Sequence, residues 1–169
     1  NYLGRQIKAK VKAPVIMGMR QYIKEAEEVV ERGDFDGVVI GRQWLADPQL
    51  VNKAMRGEYD RIRPCVGCNA LCLDAAQAGK EVGCIGNYEC NRETALRNGE
   101  GKLPTEVRSE HPERILVIGA GPSGMEFARV SALRGHKVTI WEKRNRTLGL
   151  SLYAATPPRR YDIRYLGQW

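Results

Sequence analysis

A short glycine-rich stretch between two apolar runs constrains the fold of this chain more than any other feature. The run ILVI at 115–118 is followed by Gly119, Gly121 and Gly124, which have the spacing G-x-G-x-x-G. A second apolar run, KVTIW, occupies 137–141. Two runs of this length on either side of a helical segment predict a strand, a tight glycine turn, a helix and a second strand parallel to the first.

The composition of this turn is that of a dinucleotide-binding site. Gly119 permits the tight turn, Gly121 lets the backbone approach a pyrophosphate, and the following helix offers unpaired N–H groups. Glu142 ends the second strand, where a carboxylate accepts hydrogen bonds from a ribose diol and repels a 2′-phosphate. The alternative is a glycine-rich turn without a ligand. The predicted cofactor-binding residues are Gly119, Gly121, Pro122, Ser123, Gly124, Glu142 and Lys143.

The N-terminal third of the chain also alternates between strands and helices. The apolar runs at 13–18 and 35–41 predict buried strands, and the segments 20–33 and 47–57 predict helices. Asp47 is the predicted N-cap of the second helix. Near-continuous apolar strands separated by helices are typical of a parallel sheet covered by helices. The predicted apolar face of the first helix consists of Ile23, Ala26, Val29 and Val30.

All five cysteines lie between these two α/β regions. Four of them, with the spacing C-x2-C-x3-C-x11-C, are Cys65, Cys68, Cys72 and Cys84. A structural zinc site usually pairs two C-x2-C knuckles, and only one is present. Three thiolates within eight residues and one distant thiolate favour an iron–sulfur cubane, with zinc or an unliganded redox set as alternatives. Because four ligands suffice, Cys90 is predicted to be a buried structural thiol.

Charge and hydropathy narrow the function classes. The net charge is +7, but the basic residues are spread along the chain without an arginine-rich arm, so no nucleic-acid partner is predicted. No apolar run approaches the roughly 20 residues of a membrane span, and the N-terminus lacks a signal peptide's apolar stretch. The predicted compartment is the reducing cytoplasm, where disulfides are disfavoured. The ends of the chain indicate a fragment, and a homo-oligomer is compatible with the sequence.

The order of these parts resembles the multidomain branch of the Old Yellow Enzyme family, of the 2,4-dienoyl-CoA reductase and 2-enoate reductase type. Trimethylamine dehydrogenase is a relative with the same layout. The matching stretches cover well over half of the chain, and the cysteine block after GRQWLADP is the most specific of them. They are PVIMGMR, VVIGRQWLADPQLVNKAMRGEYDRIRPCVGCNALC, VGCIGN and RILVIGAGPSGMEFARVSALRGHKVTIWEK.

The resemblance implies an α/β architecture in four parts. Residues 1–60 would be the last two βα units of an FMN-binding (β/α)8 TIM barrel, and 61–96 a [4Fe–4S]-binding segment held by the four cysteines. Residues 97–112 would be a linker, and 113–169 the start of a Rossmann-like FAD/NAD(P)-binding domain. Barrel ligands lie at the C-terminal ends of strands. The implied FMN contacts are accordingly Gly18, Met19, Arg20, Gly41 and Arg42.

The resemblance also implies an activity. NAD(P)H would reduce FAD, and electrons would pass through the [4Fe–4S] cluster to FMN, which would reduce the activated C=C bond of a 2-enoate or a dienoyl- or enoyl-CoA. The x3 spacing before Cys72 is similar to that of the C=C reductases, whereas the amine dehydrogenases have x2. An amine dehydrogenase and a non-enzymatic metal-binding module are the alternatives.

Two departures from the family pattern concern binding residues. Leu148 and Leu150 stand where the family has a glycine and a glutamine that approach FAD, so the flavin contacts there are expected to differ. Asn87-Tyr88 replaces an Asn-Pro pair after the fourth cysteine, which is expected to alter only a turn. No catalytic acid or base is predicted within the chain.

Overall fold

The computed structural model describes residues 2–18, 22–97 and 99–169, without the side chains of Arg159 and Tyr161. The described residues form two compact units. The first ends at Asn87 and also contains Trp169, and the second runs from Tyr88 to Gln168. Two predicted FMN contacts, Met19 and Arg20, lie outside the described residues.

The first unit begins with a strand–helix–strand arrangement. Helix α1 (Tyr2–Lys8) is followed by β1 (Ile16–Gly18), α2 (Ile23–Glu31) and β2 (Gly37–Val39). The two strands pair in parallel, with Ile16 opposite Gly37 and Gly18 opposite Val39. The predicted parallel βαβ order is therefore present, although each strand is only three residues long.

The core of this arrangement lies on one side of the two-stranded sheet. Met17, Val29 and Phe35 are buried together. The prediction of strands buried on both faces is wrong, because Ile16 is 61% exposed and Val39 is 59% exposed. Successive side chains of a strand point to opposite faces, and the described helix α2 covers only one of them. Val30, predicted to lie on the apolar face of α2, is exposed.

The helix predicted over 47–57 is present but shorter than expected, and a second short helix precedes it. Helix α3 (Arg42–Ala46) was not predicted, and α4 (Leu50–Met55) begins three residues later than expected. Leu50 and Ala54 on α4 pack with Ile62 in a second buried cluster. This cluster joins α4 to the chain that leads into the first cysteine.

Asp47 lies between α3 and α4 and is not the N-cap of α4, a position that Gln49 occupies. The buried carboxylate of Asp47 accepts hydrogen bonds from Lys53 Nζ (2.6 Å), the Arg63 N–H (2.8 Å) and the Gln49 N–H (2.9 Å). Lys53 Nζ also donates to the Arg61 carbonyl at 2.9 Å. Asp47 therefore ties α4 to the residues that precede Cys65.

The cysteine-bearing part of the first unit has little regular structure. After a 3₁₀ turn at Tyr59–Arg61, its helix is α5 (Leu73–Gln77). The returning segment contains an isolated antiparallel bridge between Cys84 and Asn87.

The second unit contains the predicted strand–turn–helix–strand motif. After α6 (Glu93–Leu96) and a 3₁₀ turn at Pro104–Glu106, it has β3 (Arg114–Ile118), α7 (Pro122–Leu133) and β4 (Lys137–Trp141). The strands pair in parallel, from Arg114 opposite Lys137 to Ile118 opposite Trp141. Val117 and Ala128 are buried where α7 packs on the sheet.

The second unit ends with α8 (Ser151–Ala154), a 3₁₀ helix at Pro158–Arg164 and α9 (Tyr165–Gln168). Among the residues described in the two units, no helix is both long enough and apolar enough to cross a membrane.

Replacing Asp47 by alanine should loosen the approach to the cysteine loop. The variant leaves Lys53 and the Arg63 N–H without their shared buried acceptor, a loss that costs about 3 kcal/mol. We expect the Arg63 amide hydrogen to exchange faster in D47A than in the wild type, measured by hydrogen–deuterium exchange. D60A removes an exposed carboxylate from the turn at Tyr59–Arg61 and should change stability by less than about 0.5 kcal/mol. Equal exchange in D47A and the wild type would contradict this role.

Candidate cofactor sites

The four predicted cluster ligands line one concave surface of the first unit. The space that they border is about 370 Å³, including the part open to solvent, and Arg42 and Asn69 also line it. Cys68 is exposed, and the other three are partly buried. None of the five cysteines forms a disulfide bond. The structure thus brings together the four residues that the spacing selected. The four predicted ligands are Cys65, Cys68, Cys72 and Cys84.

Backbone conformation turns the first three cysteines towards this space. Gly67 and Asn69, on either side of Cys68, have positive φ angles of 63° and 61°. Glycine and asparagine tolerate this left-handed conformation better than other residues do. The Gly83 N–H donates to the Leu71 carbonyl at 2.6 Å, which holds the returning segment beside the loop.

The surroundings of Cys84 favour the neutral thiol over a lone thiolate. Burial raises the pKa of the Cys84 thiol, and the nearby Cys65 and Cys68 raise it further. Hydrogen bonds from the backbone N–H groups of Gly86 and Asn87 act in the opposite direction. Coordination deprotonates a thiol outright, and N–H groups directed at cluster sulfurs are one way in which proteins tune a cluster.

The four cysteines surround a space and do not converge on a single position. Among the described residues, no group of three or more His, Cys, Asp or Glu side chains is placed to hold a single metal ion. The four cysteines instead border a cavity that is otherwise lined mainly by apolar side chains and glycines. Soft thiolate donors in this setting fit an iron–sulfur cluster, whose irons each take one cysteine.

Helix α3 anchors the segments that carry the cysteines. The Arg42 guanidinium donates to Asn69 Oδ1 in the first loop. The Leu45 carbonyl accepts a hydrogen bond at 3.1 Å from the Nδ2 of Asn87, a buried residue of the returning segment. Asp47, immediately after α3, accepts the Arg63 N–H. Helix α3 and Asp47 therefore contact the loop that contains Asn69, the returning segment that contains Asn87 and the chain just before Cys65.

Helix α2 contributes one more contact to the loop. The Tyr22 hydroxyl, just before α2, donates to the Cys65 carbonyl at 3.0 Å. Sequence reasoning missed Tyr22, Asn69 and Asn87 as supporting residues. Only Asn69 carried a signal, because a glycine and an asparagine flank Cys68 at positions suited to left-handed backbone.

Two predicted FMN contacts, Gly18 and Gly41, follow neighbouring parallel strands at one edge of the sheet. A Cβ atom added to either glycine would meet nothing within 4 Å, so the backbone is open to a ligand at both. The third described candidate, Arg42, lies on the cavity of the cysteines. The structure therefore places two candidates at one open edge of the sheet and the third beside the four cysteines.

The glycine turn of the second unit has the geometry that its spacing predicts. Gly119 has a φ angle of 102°, and its N–H donates to the Trp141 carbonyl at 2.7 Å. A Cβ atom on Gly124 would lie 2.1 Å from the Gly119 carbonyl oxygen, so only glycine fits there. A Cβ atom on Gly121 would meet nothing within 4 Å. Gly124 is thus required by packing, whereas Gly121 leaves space for a pyrophosphate.

Glu142 lies beside this turn, and both oxygens of its carboxylate accept backbone hydrogen bonds. The Ala120 N–H donates to Oε2 at 2.7 Å and the Arg144 N–H to Oε1 at 3.1 Å. These backbone hydrogen bonds hold the pKa of Glu142 below its usual value. Each carboxylate oxygen has a second acceptor position, so an oriented, ionised Glu142 can still bind a ribose diol. Lys143, Pro122 and Ser123 are exposed around the turn.

Leu148 has a left-handed backbone conformation, which glycine adopts more readily than leucine does. Its φ angle is 73°, it is 3% exposed, and its N–H donates to the Ala120 carbonyl at 2.8 Å. The adjacent Gly149 approaches the turn closely, since a Cβ atom there would lie 3.5 Å from Gly121 Cα. The substitution changes a side chain without removing the loop from the glycine turn. Leu150 is exposed.

Comparison with known proteins identifies the family. The model of the pyridine nucleotide-disulphide oxidoreductase family matches residues 8–156. The chain belongs to this family. A metal reductase of Desulforamulus reducens is 46% identical over 98% of the chain and 24% of its own length. An N,N-dimethylglycine/sarcosine dehydrogenase of Chromohalobacter salexigens is 39% identical over 99% of the chain and 24% of its own length.

A solved structure has the same fold. The chain of a 2-naphthoyl-CoA reductase complexed with 2-naphthoyl-CoA superimposes with a TM-score of 0.84 at 32% identity, over 99% of this chain and 25% of that one. The chain therefore spans about a quarter of the length of these relatives. The resemblance to the multidomain Old Yellow Enzyme branch is confirmed, and the chain contains a Rossmann-like region of the pyridine nucleotide-disulphide oxidoreductase family.

Two glycine variants should separate folding from cofactor binding at the glycine turn. G124A places a methyl group against the Gly119 carbonyl and should lower the melting temperature of the protein. G121A is accommodated by the empty space around its Cβ, so it should fold normally but bind FAD about tenfold more weakly or worse, by about 1.4 kcal/mol. Thermal unfolding and FAD titration, performed on the product of the complete gene, measure the two effects. A G121A variant with wild-type FAD affinity would show that no dinucleotide approaches this turn.

Proposed function

We propose that this chain is the cofactor-relay part of a flavoprotein that reduces an activated C=C bond in a 2-enoate or an enoyl- or dienoyl-CoA. The observation that carries the proposal is the cavity bordered by the four cysteines. It lies in the same unit as the sheet edge formed by Gly18 and Gly41. A one-electron relay to FMN requires a cluster near the flavin. The four cysteines would hold the cluster, and the sheet edge at Gly18 and Gly41 would hold the flavin phosphate in the same unit.

The proposed cofactors would supply the redox chemistry, with NAD(P)H as donor, FAD as hydride acceptor, a [4Fe–4S] cluster as one-electron carrier and FMN as reductant of the alkene. The chain supplies the binding groups. Four thiolates hold the cluster, and α3 positions the loops that carry them. The turn at Gly119–Gly124 offers backbone N–H groups to a pyrophosphate, and Glu142 orients a ribose.

The proposed domain boundaries follow from this assignment. Residues 1–60 belong to the FMN-binding barrel, 61–96 to the cluster segment, 97–112 to a linker and 113–169 to the FAD/NAD(P)-binding domain. The proposed location is the cytoplasm, in keeping with five reduced cysteines. A homo-oligomer stays a prediction.

The solved relative supports an unsaturated substrate. That relative is a reductase in complex with 2-naphthoyl-CoA, a thioester conjugated to C=C bonds. A second candidate function, amine oxidation, is favoured by the relative named N,N-dimethylglycine/sarcosine dehydrogenase. The two functions differ in the direction of electron flow, because an amine reduces the bound flavin whereas an alkene reoxidises it.

The cluster assignment predicts which cysteine substitutions cause loss of iron. After anaerobic expression of the complete gene, the wild type should contain about four iron and four sulfide per chain at this site and absorb broadly near 400 nm. C84S removes a ligand and should lose most of that iron. C90A changes a buried thiol that is 4% exposed and lies in the other unit, and it should retain the iron. Stoichiometric zinc in the wild type, or equal iron in the two variants, would contradict the assignment.

Substrate class is tested by the redox state of the flavins. The protein reduced anaerobically with NADH or NADPH should be reoxidised by cinnamate or crotonyl-CoA, followed by flavin absorbance in a stopped-flow instrument. Sarcosine and dimethylglycine should leave the oxidised protein unchanged. If the amines bleach the flavins and the alkenes do not reoxidise them, the protein is an amine dehydrogenase. The metal reductase relative makes a soluble Fe(III) chelate the third acceptor to compare.

A further inference from the structure

Arg42 is the cation of the cysteine cavity. Among the described residues that line it, Arg42 carries the only permanently charged side chain. The other lining residues are cysteines, one asparagine, a proline, glycines and aliphatic side chains. A charge interacts more strongly in such weakly polar surroundings than it does in water.

The guanidinium of Arg42 is fixed on the cavity by its hydrogen bond to Asn69. Asn69 lies between Cys68 and Cys72, and its left-handed backbone (φ 61°) directs the segment around the cavity. Arg42 itself is the first residue of α3 and is partly buried. The arginine is thus attached at its backbone to the end of β2 and at its side chain to the loop that carries three cysteines.

We infer that Arg42 is a positioning residue that sets the reduction potential of the cluster, an inference that rests on the proposed function. A cluster with four thiolate ligands is an anion, and its reduction by one electron adds another negative charge. A fixed cation nearby stabilises the reduced state more than the oxidised state and raises the potential. This role is separate from the FMN contact that the family resemblance implies for Arg42.

Two substitutions at Arg42 separate the effect of its positive charge from that of its hydrogen bond to Asn69. R42Q keeps an N–H donor for Asn69 but removes the charge, whereas R42K keeps the charge. In the protein from the complete gene, we expect a more negative cluster potential in R42Q and a nearly unchanged one in R42K, measured by EPR-monitored redox titration. R56Q removes an exposed cation that does not line the cavity and should leave the potential unchanged.

A third variant guards against loss of the cluster in R42Q. N69D preserves the shape of Asn69 and its acceptor for Arg42, and aspartate tolerates left-handed backbone. The added carboxylate neutralises the arginine by pairing with it, so N69D should also lower the cluster potential while Arg42 remains in place.

The outcomes are distinguishable. A wild-type potential in N69D or in cluster-loaded R42Q overturns the role of Arg42 while leaving the proposed function intact. An R42Q variant that loses FMN but keeps the wild-type cluster potential also overturns it and assigns Arg42 to the flavin phosphate. A wild type that assembles no iron–sulfur cluster overturns the proposed function itself, and this inference with it.

Discussion

The anchoring of loops to helix α3 is the constraint on which the cysteine site depends. Between residues 62 and 87, all of which the structure describes, α5 is the only helix, so most backbone groups there lack a helix or sheet partner. Hydrogen bonds to Leu45 and Asp47 and from Arg42 hold the three segments instead. Hydrogen bonds between residues distant in sequence hold these segments in place, a task that helices and sheets perform in other parts of proteins. As a result, the four thiols border one space.

The two candidate sites are built on different physical principles. The glycine turn is local, because a strand, a turn and a helix that are contiguous in sequence produce it. Its determinants are a positive φ angle at Gly119 and the lack of room for a Cβ atom at Gly124. The cysteine site joins residues 27 and 42 positions apart, namely Arg42 with Asn69 and Leu45 with Asn87. Substitutions distant in sequence are therefore expected to affect the second site more than the first.

Sequence patterns predicted motifs formed by neighbouring residues well, and predicted contacts between distant residues poorly. The βαβ motif over 114–141 and the parallel pairing of β1 with β2 follow from apolar runs and glycine positions. The N-cap predicted at Asp47 was wrong, since the Asp47 carboxylate bonds to Lys53 and Arg63, and Gln49 occupies the N-cap position. N-cap preference is a local property, and a buried polar contact from sixteen residues away outweighs it.

The sequence by itself determined the residue types of the candidate ligands and their order along the chain. Cysteine spacing selected Cys65, Cys68, Cys72 and Cys84, and glycine spacing selected the turn, because both kinds of chemistry need particular residue types at short, fixed distances. Only the tertiary structure decided that Arg42 lies with the cysteines and that Leu148 adopts a glycine's backbone conformation. Both outcomes depend on contacts with Asn69 and Ala120, whose distance in space no pattern in the sequence records.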